Sequence, residues 1–93
     1  MEKQVWKYVI SPYKTEYSIP AGGIIRHVGE QYGEVCVWVE VDPRAEKETR
    51  VIKVFGTGHT LSSEYRKYLG SVLLEGGALV FHLYEYRKEE ITR

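Results

Sequence analysis

From Glu34 to Val41 the chain reads EVCVWVEV, with valine at positions 35, 37, 39 and 41. A step of two puts all four valines on one face of a strand and scatters them around a helix. Cys36 and Trp38 fill the middle of the other face between Glu34 and Glu40, so the segment is apolar on both sides and belongs in the interior of a sheet. The same period recurs along the chain in β-branched and aromatic residues. Val5 to Ile10 sets Trp6, Tyr8 and Ile10 against Val5, Lys7 and Val9. Glu48 to Phe55 sets Arg50, Ile52 and Val54 against Thr49, Val51, Lys53 and Phe55.

Turn chemistry punctuates these runs. Pro12 ends the first, and Tyr17 to Ile19 forms a short strand closed by Pro20-Ala21-Gly22-Gly23. Ile24 to Val28 resumes, Gly29 to Gly33 reads as a hairpin loop, and Asp42-Pro43-Arg44-Ala45 as a proline-initiated turn. Val72 to Leu74, Gly76-Gly77 and Ala78 to Tyr86 make a closing hairpin. One helix is expected near Ser63 to Leu69, capped by Ser62 or Ser63, with Tyr65, Tyr68 and Leu69 on one stripe and Gly70 as its stop. The fold class is therefore mainly β (α+β): a small antiparallel sandwich or partly open barrel with one short helix. Residues 1–93 form one domain, and 87–93 read as a frayed polar tail.

Thirteen basic and thirteen acidic side chains cancel, which removes the broad attraction that binders of double-stranded nucleic acid and anionic membranes rely on. No apolar run is long enough to span a bilayer. Cys36 is the only cysteine, so no intramolecular disulfide can form, and a cytoplasmic setting is expected. Set between valines, Cys36 reads as an inert buried thiol.

The segment Gly56-Thr57-Gly58-His59 lies where a strand pattern stops and the expected helix starts. Backbone N–H groups there, reinforced by the helix N-terminus, suit an anion. The motif matches neither a Walker loop nor a dinucleotide fingerprint, and a turn with structural glycines competes. His27, His59 and His82 lack metal-ligand spacing, so no metal or other cofactor is expected. His82 falls on a strand face and reads as a hydrogen-bonded structural imidazole, whereas His59 lies on a loop. No G-x-S-x-G elbow marks a nucleophilic serine, so no catalytic residue is assigned.

Eight tyrosines and two tryptophans are more than one small core can hide. Tyr13, Tyr17 and Tyr32 stand near Arg26 and His27 in sequence, so an aromatic and basic surface could stack on a base and pair with a phosphate. A tyrosine-lined subunit interface is the alternative, and homo-oligomerisation is expected.

Trp6-Lys7-Tyr8, Ile19-Pro20 with Gly22, Gln31 with Gly33, Trp38, Val41-Asp42-Pro43, Arg50, Gly56-Thr57-Gly58-His59, Tyr68-Leu69-Gly70 and Gly76-Gly77 before Leu79-Val80-Phe81-His82 run nearly end to end. Together they resemble a family of small uncharacterised proteins of tailed phages and prophages. Gly22-Gly23-Ile24 departs from the Gly-Ala-Lys that the family tends to carry after the proline. The resemblance implies a phage origin, the cytoplasm of the host cell and one small β-rich fold, and brings no activity with it.

The expected function is a non-catalytic phage accessory protein that sequesters a small anionic ligand, a nucleotide or a nucleotide-derived immune signal of the host, in an anti-defence role. Its expected ligand-binding residues are Thr57, Gly58, His59, Arg26, His27, Tyr32 and Arg66. The alternative is a protein-interaction module, acting as a host-enzyme inhibitor or within the virion. A small enzyme using His59 stands third.

Overall fold

The computed structural model describes residues 2–87; Met1 and residues 88–93, hence nearly all of the expected tail, lie outside the described residues. The chain forms β1 (Gln4–Val9), β2 (Glu16–Pro20), β3 (Ile24–Gln31), β4 (Glu34–Val41), β5 (Lys47–Gly56), β6 (Arg66–Leu74), a single 3-10 turn (Glu75–Gly77) and β7 (Leu79–Tyr86). Two antiparallel sheets result, ordered β1-β4-β3 and β2-β5-β7-β6, and they face each other as a sandwich rather than a closed barrel.

The valine alternation sets the packing. Val35, Val37, Val39 and Val41 point inward from the central strand of the first sheet and meet Ile19, Ile52, Val72 and Leu83 from the second. Full burial of each such side chain contributes roughly 1.5–3 kcal/mol before entropy is subtracted. Tyr17 joins this core with a satisfied hydroxyl, which accepts from the Ser11 N–H at 3.0 Å and donates to the Lys14 carbonyl at 2.8 Å. It thereby ties the β1–β2 connection to the sandwich.

Two expectations about elements are corrected. No helix spans Ser63 to Leu69: Arg66 to Leu74 is one continuous strand paired with β7, and among the described residues the helical content is limited to the 3-10 turn. The Tyr65, Tyr68, Leu69 spacing suits a helix equally well, but Tyr68 lies opposite Tyr84, with ring centroids 5.4 Å apart, and a cross-strand ladder serves both backbones. Gly70 is no helix stop. Its missing side chain lets β6 approach β3, since a Cβ there would sit 3.1 Å from the Cβ of Val28. The hairpin loop also shrinks from Gly29–Gly33 to a two-residue turn at Tyr32 and Gly33, both at positive φ, as the tight hairpin turns matching strand twist require.

Cys36 points to the outer face of its sheet and is nonetheless fully buried. Lys7, opposite Trp38, reaches diagonally over it so that Nζ donates to Gln31 Oε1 at 2.7 Å. Burial pushes the thiol above its ordinary pKa, outweighing the pull of Lys7 in the other direction. Cys36 is expected to resist a chromogenic disulfide reagent at neutral pH and to react stoichiometrically only after denaturation.

Candidate ligand-binding cleft

The two sheets approach each other along β3 and β6, the edge strands on one side of the sandwich. Each carries a bulge there. Register skips Arg26 in β3, between Ile25 and His27, and Leu69 in β6, between Tyr68 and Gly70. An extra residue bends its strand and interrupts the ladder locally. A cleft of about 430 Å³ lies where the two bulged strands face each other, between Gly23–Val28 and Lys67–Ser71.

Arg50 and Glu85 form part of its wall from inward-facing positions on β5 and β7. The guanidinium grips the carboxylate with two N–H groups, Nε to Oε2 and Nη2 to Oε1, and Nη1 donates to the Gly23 carbonyl in the β2–β3 connection at 2.8 Å. These contacts raise the Arg50 pKa further, the Glu85 hydrogen bonds foremost. Lys67 lies directly opposite Glu85 on the β6–β7 ladder. Glu85 is turned to Arg50, so Lys67 has no carboxylate within 4.0 Å among the described residues.

The residues expected to bind a ligand divide into two groups. Arg26 and His27 border the cleft, Arg26 paired with Glu40 at 2.9 Å and His27 leaning on Trp38 with ring centroids 5.4 Å apart. Arg66 begins β6 close by, its guanidinium over Tyr84 and donating to the Ser62 carbonyl at 2.7 Å. Thr57, Gly58 and His59 lie at the other end of the sandwich, because six residues of β5, about 20 Å at the usual ~3.3 Å rise, separate Gly56 from Arg50. Tyr32 is at that far end too, on the tip of the β3–β4 hairpin.

Gly56 to His59 forms a β-turn. The His59 N–H donates to the Gly56 carbonyl at 3.1 Å, and His59 Nδ1 accepts from the Gly56 N–H at 3.2 Å. Gly58, at φ +91°, supplies the positive φ that a type II turn needs in its third position. With no helix behind it, the turn has no dipole to offer an anion. Gly58→Ala is expected to cost about 1 kcal/mol in a denaturant titration, and His59→Ala less than that.

A line of side-chain hydrogen bonds runs from the turn along the outer face of the second sheet to Tyr68. Thr57 Oγ1 meets His82 Nε2 at 2.8 Å, His82 Nδ1 meets Ser71 Oγ at 2.8 Å, and Ser71 Oγ meets the Tyr68 hydroxyl at 2.7 Å. Both nitrogens of His82 are thus occupied, and among the described residues no carboxylate contacts the ring. That differs from a Ser-His-acid arrangement, in which a carboxylate stabilises the imidazolium.

Arg50, Lys67 and Glu85 are absent from the expected binding set. Their signal was available in the alternation: Arg50 is in phase with Ile52 and Val54, and Glu85 with Phe81 and Leu83. Opposite charges on the apolar faces of two strands have to find each other or remain unpaired in the interior.

Among the described residues no cluster of three His, Cys, Asp or Glu could hold a metal ion, and no helix is long and apolar enough to cross a membrane. No curated protein and no solved structure matches this chain. A match over residues 1–93 shows that the chain belongs to the family described as domain of unknown function DUF7352.

Proposed function

We propose that this chain is a phage accessory protein that holds a small anionic ligand of the nucleotide kind in the cleft between β3 and β6, without catalysis. Lys67 carries the reading. Among the described residues it is the cation of the cleft without a carboxylate, because the one acid lining the cleft is taken by Arg50. A phosphate there would accept from Lys67 and from backbone N–H groups at the bulges. Binding is favoured over hydrolysis because Ser71 and His82 lack an acid to complete a charge pair. The resemblance to phage proteins supports a nucleotide-derived immune signal of the host as ligand, met in the host cytoplasm.

The test is calorimetric titration with a nucleoside triphosphate. Lys67→Ala is expected to weaken binding about tenfold or more, and added salt to weaken it further in the wild type. Ligand recovered after denaturation should be intact. Equal affinity in Lys67→Ala and wild type, or recovery of a hydrolysed product, would contradict the reading.

A protein partner is the second reading. It is favoured by Tyr13 and Tyr32, which are 95 % and 88 % exposed, since rigid amphipathic rings of this kind anchor protein interfaces.

A further inference from the structure

Among the described residues the two sheets have four edges, β1, β3, β2 and β6, and three of them carry a device that discourages pairing with another chain. β3 and β6 are bulged, and β2 is a five-residue strand ending in Pro20. Bulges, prolines, short strands and charged side chains are the usual protections of an open edge. β1 pairs with β4 without a register shift and contains no proline.

Its single charge is drawn away from the edge. Lys7 reaches inward over Cys36 to Gln31, so its ammonium lies above β3 on the far side of the sheet. The side chains left along this rim of the outer face are Val5 and Val9, 61 % and 43 % exposed. The direction of the open hydrogen-bonding groups follows from the ladder. Ile10 N–H donates to the Val35 carbonyl at 2.8 Å, so by the period of two the even positions of β1 bond to β4, and Val5, Lys7 and Val9 turn their N–H and C=O outward.

We propose that β1 pairs antiparallel with β1 of a second copy about a two-fold axis near Lys7, joining the two three-stranded sheets into one of six strands. Val5 then lies opposite Val9 of the other copy, Lys7 opposite its equivalent, and Val9 opposite Val5. Each pairing exchanges two backbone bonds, about six in all. The two ammonium groups are kept apart because each is held on its own Gln31. The zero formal charge of the chain adds no repulsion between copies. β3 is the opposite edge of the same sheet, so the pairing leaves the β3–β6 cleft open and does not depend on the cleft binding anything.

Sedimentation velocity on the full chain at ~100 µM tests this, with far-UV circular dichroism as the check on folding. The wild type is expected to sediment as a dimer. Val5→Pro removes only an outward N–H, and Val9→Lys places a charge on the edge; each should weaken the dimer at least about tenfold. Ser18→Lys, on the β2 edge, should leave it intact. If Val5→Pro does not fold, Val9→Lys decides. A monomeric wild type, a dimer that survives Val9→Lys, or one that Ser18→Lys dissolves equally would overturn the proposal.

Discussion

Arg50→Ala is expected to remove about 2–3 kcal/mol of folding stability and lower the melting temperature by roughly 10–20 °C. The side chains of Arg50 and Glu85 retain only 17 % and 18 % exposure, so deleting the guanidinium leaves a largely desolvated carboxylate without its partner. It also strips the Gly23 carbonyl of the donor that ties the β2–β3 connection to β5. The expected loss stays below that of a wholly buried pair because some water still reaches both groups. Replacing both members together, as Arg50→Met with Glu85→Leu, should recover part of the loss, since no charge is then stranded. Chemical denaturation of the three proteins measures it. Equal stability of Arg50→Ala and the wild type would show that the pair does not stabilise the fold.

Leu83→Ala should cost about 3–4 kcal/mol, a large share of the ~5–15 kcal/mol that holds a domain of this kind folded. Leu83 is fully buried on β7, whose neighbours on both sides are β5 and β6, so adjoining strands leave little room for collapse around the cavity. Leu73→Ala removes the same atoms from a side chain 60 % exposed and should change stability by less than about 0.5 kcal/mol. A comparable loss in both variants, read from the denaturant midpoint, would place the core elsewhere.

The strands of this fold are legible where period-two alternation survives. EVCVWVEV becomes β4 with the expected limits, and the split of Trp6, Tyr8 and Ile10 from Val5, Lys7 and Val9 is the split between core and outer face. The stretch before Gly70 misleads because β6 carries a bulge. One extra residue at Leu69 breaks the period of two and brings Tyr65, Tyr68 and Leu69 into helical spacing. The same device hides the cleft. A bulge at Arg26 cannot be read from side-chain types, and the cleft needs two bulges on strands about 40 residues apart to face each other. The glycine-rich stretch draws attention through composition, yet its polar groups close a turn, while the charges that shape the cleft are embedded in strand patterns.

The most direct measurement is a two-dimensional amide NMR titration of the uniformly ¹⁵N-labelled chain with a nucleoside triphosphate. Binding in the cleft predicts saturable shifts concentrated in the amides of Gly23–Val28 and Lys67–Ser71, reduced in Lys67→Ala. Saturable shifts confined to Gly56–His59, or no saturable shift at millimolar ligand, would contradict the account.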